Sequence, residues 1–216
     1  MRFILSLALL LTVAIGGRAQ GQQTAAKSSS QNKKMALATF GAGCFWCVEA
    51  VFQDVKGVEK VVSGYAGGKI ANPTYREVCS GLTGHAEVTQ LTYDPSVVSF
   101  DELLEVFWGT HDPTTPNRQG ADVGTQYRSA IFYHTDEQRR VAEEDKQKLN
   151  DEKAFPNPVV TEIVPFTQFF PAEDYHQNYF NLNGSQPYCQ MVIRPKVDKM
   201  KKVFADKLKA KGQHAQ

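Results

Sequence analysis

Cys44 stands where one hydrophobic periodicity gives way to another, inside Ala38 to Phe52, which reads A-T-F-G-A-G-C-F-W-C-V-E-A-V-F. Met35 to Phe40 is a short apolar run closed by Gly41 and Gly43, and Val48, Val51 and Phe52 follow at helical spacing. A strand is therefore expected to hand over to a helix at Cys44. A thiol there faces unpaired backbone N–H groups and the positive end of the helix dipole, which favour thiolate and predict a lowered pKa. That is the setting of a nucleophile. Buried structural cysteines are common, but the flanking glycines and the adjoining aromatics favour chemistry.

Glu87 opens the alternating run Ala86 to Tyr93, just after Gly84-His85, with Val88 on one face and Glu87, Thr89 and Leu91 on the other. If it points into a cleft, desolvation raises its pKa and lets it donate a proton near neutrality. By residue type alone, Tyr75, Asp122, Tyr127 and His176 read equally well as surface or packing residues.

The elements that must position these groups follow from pattern. Val58 to Tyr65 is β-branched and alternating, and a Gly-rich loop from Ala66 to His85 leads to the strand Ala86 to Tyr93. Ser99 to Glu102 is a capping box opening a helix that buries Leu103, Leu104, Val106 and Phe107. A second long loop, His111 to Gln126, precedes a strand Tyr127 to Tyr133. The order, βαβ twice, predicts an α+β fold: a ferredoxin-like split βαβ core, a two-layer sandwich with both helices on one face of an antiparallel sheet. Beyond the core we expect a capped helix from Thr135 to about Lys153 and a strand Val159 to Val164. A short helix Pro171 to Phe180, a last strand Tyr188 to Ile193 and a closing helix Lys196 to Lys209 complete the appended elements. Two loops of this length are longer than a compact domain usually keeps, and they are where a site is expected.

Residues 1–19 begin with Arg2, run apolar from Phe3 to Ile15 and end in small residues, the pattern of a secretory signal peptide cut after Ala19. Residues 20–34 read as a flexible tether and 35–211 as one domain. The chain is expected to be exported, to the periplasm or the medium. Its 24 basic and 23 acidic residues nearly cancel, which argues against a nucleic-acid partner. Cysteines at 44, 47, 79 and 189 are too few for a disulfide-dense scaffold and lack paired zinc spacing, so no metal and no cofactor is expected.

The motifs GCFWC, GYAGG, NPTY, GHAE, HDPTT, GTQYRS and YHQNY, in this order from about Ala38 to Pro195, resemble the peptide methionine sulfoxide reductase A family. The resemblance implies the split βαβ core and reduction of the S epimer of methionine sulfoxide, free or in oxidised proteins, as a repair of oxidative damage. It implies Cys44 as the nucleophile and Glu87 as the acid that protonates the sulfoxide oxygen, helped by Tyr75 and Tyr127. Asp122 orients that network, His176 lines its rim, and Phe45 with Trp46 offers aromatic edges to the S-methyl group. A sulfenic acid left on Cys44 is condensed by a second thiol, for which Cys47 and Cys189 are both candidates while Cys79 looks like a bystander in a strand-like context. Many family members carry Gly where this chain has Cys47, with resolving thiols nearer the C-terminus. A thioredoxin or similar dithiol completes the cycle, and a monomer is expected.

Two other readings compete. Cys44-Phe45-Trp46-Cys47 between a strand and a helix also suits a thioredoxin-like dithiol oxidoreductase, which needs neither Glu87 nor a methyl pocket. An exported adhesion or scaffold module, from a different class, keeps its cysteines only as a staple.

Overall fold

Seven of the nine residues just before the cysteine form the central strand β1, Ala36–Ala42. The structure, a computed structural model, describes residues 34–210. The expected signal peptide and all of the tether but Lys34 lie outside the described residues, as does Lys211. After β1 come α1 (Phe45–Phe52), β2 (Val58–Ala66), α2 (Tyr75–Cys79), β3 (Ala86–Tyr93) and α3 (Phe100–Thr110). The two-residue strands β4 (Arg118–Gln119) and β5 (Asp122–Val123) form a separate ribbon inside the second long loop. Then follow β6 (Ser129–Tyr133), α4 (Asp136–Asp151), β7 (Glu162–Pro165), β8 (Phe169–Pro171), α5 (Tyr179–Leu182) and α6 (Arg194–Val203).

The fold is α+β, built on a six-stranded sheet in the order β7-β6-β1-β3-β2-β8. β1 pairs antiparallel with β3 and β6, and β2 pairs antiparallel with β3 and β8. β6, β1, β3 and β2 pair antiparallel as expected of the core, while β7 runs parallel to β6, so the sheet as a whole is mixed. The helix α4 makes this possible, because a parallel neighbour needs a long crossover.

Alternation along β1 sends Ala38, Phe40 and Ala42 to the helical face, where they join Leu91, Leu103, Leu104 and Phe107 in the main core. Phe40 is fully buried and stacks on Phe52, Phe100 and Phe107 with centroids 5.5, 5.9 and 5.0 Å away. Truncating a ring buried this way costs about 3–5 kcal/mol. The helix α1 is apolar but for Glu49 and buried on nearly every side: Val48, Val51 and Phe52 enter the main core. Phe45, Cys47 and Ala50 enter a second cluster with Tyr65, Val78, Phe170, Cys189, Ile193 and Val197. The helix that Cys44 caps is thus clamped between the sheet and the C-terminal segment.

Caps behave as their side chains dictate. Ser99 and Glu102 form the expected reciprocal box at α3, and an unforeseen one, Thr74 with Glu77, starts α2 inside the first long loop. At α4 the box is only half made. Thr135 takes the Gln138 amide, but the Gln138 side chain bonds the His134 N–H and the Leu37 carbonyl, tying α4 to β1.

Four expectations are corrected. Tyr127 belongs to a 3-10 turn, Thr125–Tyr127, and the strand begins only at Ser129. Pro171 to Phe180 is not one helix but the end of β8, a 3-10 turn at Asp174–His176 and the start of α5, because Asn178 sits at φ +52° and breaks the helical path. Tyr188 to Ile193 is no strand: Cys189–Ile193 is a π-helical turn that runs directly into α6. Its aromatic and β-branched residues suggested a strand, yet Cys189, Ile193 and Val197, at a spacing of four, bury one stripe against α1. The closing helix begins earlier than expected and ends at Val203, followed by a 3-10 turn, Ala205–Lys207. Among the described residues, no helix is long and apolar enough to cross a membrane.

Candidate active site

The turn from β1 to α1 depends on Gly43, at φ +90°, where a Cβ would stand 2.6 Å from the Cβ of Gln119. Gln119 is itself fixed, accepting from the Asp112 N–H at 3.1 Å and donating to its carbonyl at 3.0 Å. Cys44 is the N-cap of α1 but makes no side-chain capping bond. The first amide of the helix, Phe45 N–H, donates instead to Glu87 Oε2 at 3.0 Å. A carboxyl from β3 therefore completes the helix end that carries the thiol.

Glu87 is 1% exposed. Burial pushes its carboxyl up to about 8, against the pull of the Phe45 amide, and the charges of Asp122 and Cys47 add to the rise. The hydroxyls of Tyr75 and Tyr127 are held well above their ordinary value, by burial first and by the Glu87 charge among other causes. Both are O–H donors throughout the physiological range.

The thiols correct the sequence expectation. Burial, the hydrogen bond to Cys47 and the Glu87 charge hold the Cys44 thiol well above the ordinary cysteine value. Cys47 is the thiol that is lowered, to about 7, by its hydrogen bond with Cys44 and then by Lys196 and Tyr188, with burial opposing. Cys44 receives no amide at the helix end, since the Phe45 N–H is on Glu87, and burial keeps the pair's shared proton on Cys44.

Asp122, on the short ribbon, accepts from the Tyr188 hydroxyl at 2.8 Å, and that same hydroxyl faces both thiols. Trp46 donates through Nε1 to His176 Nδ1 at 3.1 Å and stacks on Tyr179 at 3.6 Å and 5°. His176 is buried behind this aromatic wall, 5.0 Å from the Phe45 ring and 4.5 Å from that of Tyr75, and is not at a rim. All four cysteines are free thiols. Cys189 is buried against the pair, close enough for the Cys47 charge to raise its pKa after burial has done most. Cys79 ends α2 and is exposed, in a helix and not a strand, with its thiol beside the Tyr75 hydroxyl.

A model of the peptide methionine sulfoxide reductase family matches residues 36–208. The chain belongs to this family. It is 58% identical over 173 residues to a peptide methionine sulfoxide reductase MsrA of Sulfolobus acidocaldarius, covering 80% of this chain and 97% of that protein. It is 52% identical over 188 residues to one of Deinococcus radiodurans, covering 87% and 91%. Among solved structures, it resembles methionine sulfoxide reductase A of Corynebacterium diphtheriae at 38% identity and a TM-score of 0.63, covering 72% of this chain and 77% of that one. Family membership sets aside the reading as a thioredoxin-like oxidoreductase and that as a scaffold module.

The structure thus gathers Cys44, Cys47, Phe45, Trp46, Tyr75, Glu87, Asp122, Tyr127, His176 and Cys189 around one helix end. Sequence reasoning missed Tyr188, Tyr179, Glu173 and Glu49. Glu173 accepts from the Tyr65 hydroxyl at 2.8 Å and the Tyr75 N–H at 2.9 Å, steadying α2. His85 reads as a staple: its Nδ1 accepts from Gly68 N–H at 3.0 Å and its Nε2 bonds the Ile70 carbonyl at 2.7 Å, closing the first long loop. Tyr188 had a signal in its adjacency to Cys189, and Glu49 one in being a lone charge within an apolar helix. Among the described residues, no group of His, Cys, Asp and Glu has the arrangement of a metal site.

Proposed function

We propose that this peptide methionine sulfoxide reductase works by attack of Cys44 on the sulfoxide sulfur, with Glu87 as the acid. The observation that carries the reading is the Phe45 amide on Glu87 Oε2, which sets a carboxylic acid of pKa about 8 beside the thiol at one helix end. As Cys44 Sγ bonds to the sulfoxide sulfur, its proton passes to Cys47, and Glu87 delivers a proton to the oxygen. Tyr75 and Tyr127 donate hydrogen bonds to that oxygen. Transfer of the hydroxyl leaves methionine and a sulfenic acid on Cys44. Cys47 then attacks Cys44 Sγ, and water leaves with the two protons first held by Cys44 and Glu87. Phe45 and Trp46 hold the S-methyl group, His176 backs their rings, and Asp122 steadies the thiols through Tyr188.

The order β6-β1-β3-β2 along the path β1-α1-β2-β3-α3-β6, with α2 and the β4-β5 ribbon inserted in its two long loops, supports a ferredoxin-like split βαβ core to which β7, β8 and the C-terminal helices are added. The S epimer is the substrate, free or in oxidised proteins, and a thioredoxin-like dithiol reduces the resulting disulfide of a monomeric enzyme. Export to the periplasm or medium rests on residues 1–19 alone. Turnover of separated S and R epimers of a methionine sulfoxide peptide with dithiothreitol tests the activity. Consumption of S alone is expected, and loss of R at a comparable rate would overturn it.

A further inference from the structure

Glu49 is the single charged residue of α1, and it is buried, 2% exposed. Among the described residues, no side-chain cation bonds it. Its Oε1 accepts from the Asn178 N–H at 2.8 Å and its Oε2 from the Tyr179 N–H at 3.3 Å. Asn178, at φ +52°, is braced by Gln53 Nε2 at 3.2 Å and Asn181 Nδ2 at 2.6 Å, both on its Oδ1. The residue whose amide Glu49 holds, Tyr179, is the one that stacks on Trp46, and His176 in the same segment accepts from the Trp46 indole. Trp46 precedes Glu49 by three residues, so both lie on one side of the helix. Indole, stacked ring, amide and carboxylate thus form a closed circuit.

We propose that Glu49 is a positioning residue for substrate recognition, its ionised carboxylate clamping residues 176–179 so that His176 and Tyr179 fix the Trp46 ring. The proposal rests on the reading of Trp46 as part of the S-methyl pocket. Protonation places a hydrogen on one of the two accepting oxygens and makes it a poorer acceptor for its amide, so the clamp is tight when the carboxyl is ionised and slack when it is not. Burial raises Glu49 to about 7, with the two amides pulling the other way. Protons reach it through a cavity of about 380 Å³ between α1, β2 and the segment after β8, whose charged lining is Lys60 and Asp174. The segment Asn178 to Leu182 adds no charge of its own. The clamp therefore loosens as pH falls through about 7.

The test uses the full chain carrying Trp108→Phe, a residue of α3 bonded to Asp145, so that the Trp46 indole N–H is a single NMR reporter. With Glu49 intact, that resonance is expected to titrate near pH 7, and KM for an S-sulfoxide peptide to rise in step as pH falls. Glu49→Gln should abolish this titration and raise KM about tenfold, leaving the saturated single-turnover rate within about threefold. A resonance that titrates identically in both proteins, or a KM that does not follow it in the Glu49 protein, overturns the clamp even if the Gln variant folds poorly. Failure of both proteins to reduce any sulfoxide while the resonance still titrates would strike at the assigned chemistry and leave the clamp standing.

Discussion

The amide of Phe45 donates to Glu87 Oε2 at 3.0 Å, so the residue following Cys44 also holds the Glu87 carboxyl. One helix end thereby fixes the Cys44 thiol, which follows β1, beside a carboxyl from β3. Glu87→Gln keeps an acceptor for that amide but has no proton to give. Substrate binding should persist while single-turnover formation of sulfenic acid slows about 100-fold at neutral pH. In the unaltered protein that rate should fall as pH rises through about 8, where the acid is lost, and the fall should vanish in the variant. An unchanged single-turnover rate would remove Glu87 from the mechanism.

Cys44→Ser replaces the sulfur by a hydroxyl of similar size that stays un-ionised at this pH. Reduction should be abolished with the fold intact, because 6% exposure leaves little room for another residue to take its place. Turnover surviving within about tenfold would sink the nucleophile assignment.

Much of this arrangement was legible in the chain. Cys44 was placed by a change of period, and the capping box at Ser99 and the alternation of β3 were local signals that tertiary packing reinforced. What could not be read was set by long-range contacts. The aromatic and β-branched residues from Tyr188 to Ile193 have strand propensity, but a stripe at a spacing of four buried against α1 turned them helical. The thiol pKa order depended on the burial of Cys44, on its hydrogen bond with Cys47, and then on Lys196 and Tyr188 approaching Cys47, none of which spacing alone reveals.

Burial of two acids should weaken folding as pH rises over a defined window. Glu87 is raised from 4.5 to about 8 and Glu49 from 4.5 to about 7, so both hold a proton more tightly in the folded chain than in the unfolded one. Their favourable contribution is full below about 4.5 and is lost as pH rises to 7 and then 8. Buried histidines act in the opposite sense: burial lowers His111 from 6.5 to about 4 and also lowers His134 and His176, so folding gains from them as pH rises to about 6.5. The share of Glu87 is therefore read as a difference: the Tm of the unaltered protein relative to that of Glu87→Gln should decline from pH 5 to pH 8. A difference that stays constant or grows across that range would contradict the raised pKa of Glu87.

The Tyr188 hydroxyl, which donates to Asp122, also lies within reach of both thiols, and turning its one proton to either lowers that thiol. Tyr188→Phe removes the donor and keeps the ring. The pH midpoint for iodoacetamide labelling of the pair should rise by about one unit, a change worth about 1.4 kcal/mol. An unmoved midpoint would mean that Tyr188 only packs.

The last question is which thiol resolves the sulfenic acid. Cys47 is hydrogen-bonded to Cys44, its amide donates to the Cys44 carbonyl at 3.0 Å, and its lowered pKa leaves a large thiolate fraction near neutrality. Cys189 is fully buried with its pKa raised, so it must be uncovered and deprotonated before it can attack. After one equivalent of sulfoxide without reductant, peptide mapping should find Cys44 bonded first to Cys47, with Cys79 still a free thiol. Cys47→Ser should still consume that first equivalent but form disulfide at least about tenfold more slowly, now through Cys189. Cys44 recovered in a disulfide with Cys79, or a Cys47→Ser protein that closes its disulfide at the original rate, would show that the recycling step runs through a different thiol.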